Sequence, residues 1–496
     1  SVAGNTVLGE SALDAAVSGG NNTAIGKQAL TALTSGADNT AVGVEAMSAT
    51  TTGIQNVAIG SFALDVNTDG DKNVAIGYAA LDANTTADNN TAVGTAALSA
   101  NTTGTRNVAV GANAFSLNTT ANNNVGVGHN AGAANTTGNT NVAVGTFAFD
   151  ANTTGISNVA IGQESMTGST TSSQNTGCGA YTLYAQTTGA DNTGVGYGAL
   201  FTNTTGSNNS ALGCNTLLNS TTASNNVAIG KDALKANTTG AQNVAVGANA
   251  LDANTTAIDN VAVGYNAGSN ITTAANNVCV GSEAGLSTTT GTNNVYVGKN
   301  AGRTGTDANH NSALGIAALF SITSGTHNTG VGPDAGQVVT TGTNNSFLGQ
   351  QAGMSSSPSG SITTGSNNVV LGNNSISNLF CADTSISSSD SRDKTDVSDF
   401  SIGLKWIEAL RPVTYRWDRR TWYGTEQNPY GTPDGSKKRN RLHIGFLAQE
   451  ALAVEQANGY GHNNDDSLIL NLTDDGMSYG MKYERLVPIL VNAIKE

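Results

Sequence analysis

The sequence predicts a mostly β protein: a β-solenoid, or β-roll, of 17-residue repeats, followed by a small α+β domain that ends in a helix. Three observations predict it. The pattern Asn-x-small-apolar-Gly starts at Asn5, Asn22, Asn39, Asn56 and Asn73 and recurs every 17 residues to Asn345, twenty-one copies in all. A twenty-second copy, Asn368 to Gly372, follows after 23 residues, so six residues around Ser355 to Gly360 interrupt the period. A fixed short period is the signature of a solenoid. Second, 61 Gly, 6 Pro and 11% charge suit neither an ordinary enzyme nor a disordered tail, because 38% of the 496 residues are apolar. Third, the composition breaks after Gly372: all three Trp and four of the six Pro lie beyond Ser389.

Within a repeat such as Asn56 to Lys72, residue types alternate with period two over the first five positions, which is strand-like. The first position is Asn and the fifth Gly in all twenty-two copies, while the fourth is always Val, Ile, Leu or Cys. The fourth position is therefore expected to be buried, and Asn and Gly, which tolerate left-handed conformations, to mark the strand's corners. A second apolar point follows at Ala63-Leu64. Then comes a polar turn, which reads Asn-Thr-Thr-Gly at 101–104, 135–138, 152–155, 203–206 and 237–240.

Seventeen residues enclose too little apolar surface to fold alone, so successive coils must stack, each strand pairing with the next at about 4.8 Å. Twenty such intervals give a rod of roughly 100 Å. Its asparagines are expected to form hydrogen-bonded ladders. The third position is usually Ala or Gly and points to the opposite face from positions two and four. A small-residue outer face suits packing against copies of the same coil, so a trimeric solenoid is expected. Cys279, Tyr296 and Phe347 depart from the small-residue rule, which implies either looser packing there or a different intersubunit face. Stretches such as Asn56-Val57-Ala58-Ile59-Gly60 resemble the repeats in the heads of trimeric autotransporter adhesins, left-handed β-rolls assembled as trimers, although those heads have a shorter period.

Past the repeats, Asn373 to Ser388 reads as a Ser/Asn-rich connector. Ile402, Leu404, Trp406, Ile407 and Leu410 suggest a short helix ended by Pro412; Val413 to Trp417 alternates like a strand, and Tyr483 to Ile494 reads as an apolar helix suited to a trimeric bundle. Four blocks in order, Ser389-Asp390-Ser391-Arg392-Asp393-Lys394, Leu410 to Tyr415, Gly445 to Glu450 and the closing Tyr483 to Ile494, resemble the C-terminal intramolecular chaperone of phage tail fibres, tailspikes and endosialidases. The repeats and the composition break give a shaft over 1–372 and a connector over 373–388, and the resemblance implies a chaperone over 389–496 that drives trimerisation and then cuts itself off between Ser388 and Ser389. It assigns Ser389 as nucleophile on the Ser388 carbonyl and Lys394 as general base, with Asp390 and Arg392 supporting. The chemistry suits these residue types: a serine hydroxyl needs a base, and a lysine serves once burial or nearby positive charge lowers its pKa. The reaction is single-turnover, with no separate substrate.

Charge narrows the partners. Residues 1–388 hold 7 Lys/Arg against 19 Asp/Glu, a net −12, and residues 389–496 hold 14 against 16, a net −2. An acidic, charge-poor shaft repels nucleic acid. The basic runs Arg416 to Arg420 and Lys437 to Arg439 read as solvated loops. Neither a membrane-length apolar run nor a signal peptide is present. Cys178, Cys214, Cys279 and Cys381 are too scattered for a disulfide framework or zinc site. His310 and His327 hold the same position in consecutive repeats and read as surface-turn residues, so no metal or cofactor is expected.

These readings converge on a phage tail fibre, a virion component that contacts other tail proteins at its N-terminal end and a receptor on the host surface. A bacterial cell-surface adhesin of the same architecture competes with it. The chain opens at Ser1 almost directly in a repeat, so upstream sequence is expected: an export signal there would favour the adhesin, a virion-attachment domain the fibre. A polysaccharide-degrading spike fits less well, since the shaft is poor in aromatic residues and offers no carboxylate pair in an aromatic setting.

Overall fold

The computed structural model describes residues 4–377, 397–424, 430–463, 465–472 and 479–496. Twenty-two three-residue strands, β1 (Thr6–Leu8) to β22 (Val369–Leu371), form one parallel sheet in which each strand pairs with its neighbour one repeat along. The register is uniform: Val57, Ala58 and Ile59 face Val74, Ala75 and Ile76. Across the six-residue insertion Ser346 still faces Val369, so the extra residues leave the ladder unbroken.

The expected burial is inverted. Position three faces inward, with Ala24, Ala41, Ala58 and Ala75 fully buried, whereas position four faces out, with Ile59 40%, Ile161 39% and Leu212 49% exposed. Pleating forces positions two and four onto the same side, and the interior is already filled by Ala and Leu at positions eight and nine, such as Ala63 and Leu64. Only a methyl-sized group fits opposite them. The small-residue face is therefore the core face, and the β-branched face of the single chain is left unpartnered.

Three of the larger residues at position three confirm this. Cys279, Tyr296 and Phe347 are all buried, and each coil that holds one has Gly instead of Leu at position nine: Gly285, Gly302 and Gly353. A Cβ on Gly302 or Gly353 would overlap the Tyr296 or Phe347 ring, and one on Gly132 would overlap Phe115. Close packing demands such exchange, because an interior tolerates neither overlap nor a void. Burial also pushes the Cys279 thiol up to about 12, so it packs as a small apolar group.

Asn at position one does not turn the chain. The left-handed residues are at positions seven, nine and seventeen, for example Phe62 (φ 61°), Leu64 (φ 55°) and Lys72 (φ 56°), with Gly60 (φ 133°) at position five. A Cβ on Gly60 would lie 2.5 Å from the Gly77 carbonyl oxygen. Three non-glycine residues in this region cost about 1–2 kcal/mol each. A lone coil cannot offset that, so coils persist only when stacked.

Position-one Asn instead serves the interior ladder. Asn107 Nδ2 donates to Ala121 O (2.8 Å) and Asn90 Oδ1 (3.2 Å), while its Oδ1 accepts from the Asn124 amide (3.0 Å). The Asn-Thr-Thr-Gly turn builds a second ladder. Asn101 is fully buried and donates to Asn84 Oδ1 (3.0 Å) and Gly104 O (3.0 Å); Asn118 donates to Asn101 (2.9 Å), and Thr102 Oγ1 to Thr119 O (3.1 Å). Asn107→Ala strands a buried carbonyl and a buried amide at a cost of order 3 kcal/mol. Hydrogen exchange should show local opening of the coils around residues 90–124, whereas Thr103→Ala on the exposed side should change protection little.

Position ten carries half-buried acids. One carboxylate oxygen of each of Asp82, Asp150 and Asp252 is buried without a hydrogen-bond partner, and desolvation raises all three carboxyls above the usual 3.8. A raised folded-state pKa means that the folded chain binds the proton more tightly. Its contribution is complete below 3.8 and is lost as pH rises through the folded value. Asp82→Asn, Asp150→Asn and Asp252→Asn together should therefore raise the melting temperature at pH 7 and not at pH 3. An equal rise at both pH values would contradict this origin.

Candidate functional site

The residues predicted to cut the chain, Ser388, Ser389, Asp390, Arg392 and Lys394, lie outside the described residues. The segment that follows them carries α1 (Leu404–Ala409), β23 (Val413–Tyr415), β24 (His443–Gly445), α2 (Ala448–Ala457), the pair β25 (Leu470–Leu472) and β26 (Tyr479–Met481), and α3 (Leu486–Lys495). The helix expected near 402–410, the strand after Pro412 and the closing helix all form. The last opens with a 3-10 turn, Tyr483–Arg485, because Pro488 lacks the N–H that a further α-turn would use.

The small core is Trp406, Leu410, Ala451, Ile469, Leu470, Leu486 and Ile489. Trp406 Nε1 donates to Val454 O (3.2 Å), tying α1 to α2. Glu455 is fully buried yet satisfied: its carboxylate accepts from Ser467 Oγ (2.9 Å) and the Ile469 amide (2.5 Å), and so fixes the loop before β25 to α2.

Three of the four sequence blocks are bonded to one another. Val413 and Tyr415 pair antiparallel with Gly445 and His443. Arg411, just before the strand, grips the Glu450 carboxylate with two guanidinium nitrogens. The Phe446 amide donates to Tyr483 Oη (3.1 Å), bringing the closing block onto the second strand. The end of α3 then holds the chain that follows the predicted cleavage motif: Asn492 Nδ2 donates to Phe400 O and Ile402 O, and Glu496 Oε2 accepts from the Leu404 amide (2.7 Å). Residues 400–404 are thus anchored by the last residues of the chain. Sequence reasoning missed Asn492 and Glu496 as anchors, since neither stands out from an ordinary helix end.

The basic runs are occupied by aromatic rings. Arg419 lies 4.4 Å over Trp417, Arg439 5.1 Å over Trp422 and Lys437 5.0 Å over Tyr423, while Tyr415 stacks on His443 at 5.5 Å. Asp418 Oδ1 accepts from Tyr423 Oη (2.7 Å) and its Oδ2 from the Gly435 amide (3.0 Å), closing the long loop between β23 and β24. Cations spent on such contacts hold a loop in place. In the shaft, His310 and His327 stack at 4.9 Å with rings 1° from parallel. Among the described residues no group of three or more His, Cys, Asp or Glu is placed to hold a metal ion, and no helix is long and apolar enough to cross a membrane.

No curated protein matches the chain. Residues 389–460 match the family model described as the chaperone of endosialidase, a match that begins at the predicted nucleophile and ends before α3. This C-terminal segment is similar to the endosialidase chaperone and follows a long β-solenoid of 17-residue coils, the two-part architecture that the tail-fibre resemblance implies.

Proposed function

We propose that the chain is the shaft of a phage tail fibre involved in host attachment. Three copies pack through the outward β-branched face, and the C-terminal segment aligns them before it releases itself between Ser388 and Ser389. The observation that carries the assembly is the stripe formed by positions two and four. It is two side chains wide, runs the length of the twenty-two strands, and stays uncovered at Ile59, Val110, Ile161 and Val263. Position four is apolar in every strand and position two is Val in twelve of the twenty-two, and a largely apolar stripe of roughly 100 Å exceeds the patches that soluble monomers expose. The closing helix has the same character: α3 buries Leu486 and Ile489 and leaves Val487 57%, Leu490 42%, Val491 42% and Ile494 83% exposed, an apolar seam at coiled-coil spacing. The similarity to the endosialidase chaperone favours three copies rather than two.

Ile161→Lys with Ile229→Lys tests the face. Both side chains point away from the coil interior, so each chain keeps its core while the interface gains repelling charges. Sedimentation should show loss of the trimer with the β spectrum retained; an unchanged trimer would show that another face joins the copies.

A further inference from the structure

Inside the shaft the coils are nearly identical, but at positions six, seven and ten, on the face after the glycine corner, side chains differ from coil to coil. One place on that face concentrates rings. Tyr181 and Tyr184 of one coil meet Tyr197 and Phe201 of the next: Tyr184 and Phe201 stack at 4.9 Å and 4°, and Tyr181 lies 5.7 Å from Tyr197. Tyr197 is 58% exposed. Position seven of the second coil is Gly198, so no side chain separates Tyr181 from the neighbouring rings. Gln163 Nε2 reaches Tyr181 Oη (3.4 Å) and Glu164 Oε1 (3.2 Å), placing an amide and a carboxylate at the edge of the cluster.

We propose that this cluster is a lateral binding platform for a neutral polysaccharide. The aromatic rings offer flat apolar faces to the C–H side of sugar rings, and the amide, carboxylate and phenol groups meet the hydroxyls. A pyranose unit is about as long as the coil spacing of about 4.8 Å, so rings on two successive coils match adjacent sugars. Charge selects the class: no Lys or Arg occurs between Arg106 and Lys231, so an anionic glycan would meet Glu164 without a counter-ion. The proposal deepens the host-attachment reading and rests on it for its biological meaning.

The test is sharp because alanine already occupies the same coil positions elsewhere: Ala112 and Ala248 at position six, and Ala79 and Ala96, with φ of 52° and 53°, at position seven. Tyr197→Ala with Tyr181→Ala therefore keeps the coil. Tyr265→Ala, which removes a 54% exposed tyrosine at position six of another coil, is the control. Full-length protein should bind neutral members of a printed array of bacterial glycans, with affinity about tenfold or more weaker in the double variant and unchanged in the control. Absence of binding across the array, binding confined to anionic glycans, or binding that survives the double substitution would overturn the platform. Adsorption of labelled protein to a panel of bacterial strains separates the two readings. Wild type and double variant adsorbing equally would remove this site and leave attachment standing, whereas array binding without adsorption to any strain would remove attachment and leave the site.

Discussion

Ser389→Ala is expected to leave the expressed chain whole, and Lys394→Ala to slow or stop cutting, where wild type separates into two fragments on a denaturing gel. In the proposed chemistry the Ser389 hydroxyl attacks the Ser388 carbonyl while Lys394 takes its proton. The oxygen–carbon bond forms as the peptide bond breaks, the freed amine of residue 389 takes up a proton, and water then hydrolyses the ester. A hydroxyl without its base is a poor nucleophile, so loss of either group removes most of the rate. Ser388→Ala contributes the same carbonyl and should cut normally. Because neutral Lys394 is the active form, the rate in wild type should rise with pH and level off above the lysine's pKa. A Ser389→Ala chain that still separates before residue 389 would remove the assignment.

Deleting residues 389–496 is expected to abolish the trimeric shaft, leaving monomer or aggregate on sedimentation. The coil interior marks its own register, since Phe115, Tyr296 and Phe347 each press on a glycine of the neighbouring coil, Gly132, Gly285 and Gly336. The outward face carries no such marks: Val or Thr at position two and Val or Ile at position four recur along the stripe. One chain displaced by a single coil against its partners loses about one rung of contact in twenty-two and keeps the rest, so many registers compete. Parallel ladders also form slowly and expose apolar edges meanwhile. A nucleus at one end resolves both problems by aligning three chains before the shaft closes, and its later removal leaves a rod that dissociates only over a high barrier. A well-formed trimer from residues 1–388 alone would refute the chaperone role.

Period and composition made the architecture legible. The Asn-to-Gly pattern locates all twenty-two strands, and the helix before Pro412, the strand after it and the closing helix lie where the pattern places them. The direction of the side chains was not legible. Ile59 reads as core by hydropathy, and only the filled interior around Ala63 and Leu64 shows that it must face out. The left-handed positions escaped for a related reason: Phe62 and Leu64 have no local preference for that conformation and adopt it because stacking imposes it. Alternation of large and small residues, Leu giving way to Gly at 302 and 353, was the available signal of a fixed core volume. Of the site, three blocks could be joined in space through Arg411, Glu450 and Tyr483, while the Ser389 and Lys394 pair rests on sequence alone.

The central claim is that a register-setting segment assembles three shafts and then leaves. Native mass spectrometry of the expressed full-length chain, followed by the mass of its denatured components, tests it most directly. The account predicts an assembly of three chains, each ending at Ser388, with residues 389–496 as a separate fragment. A single chain that still runs to Glu496 would contradict it.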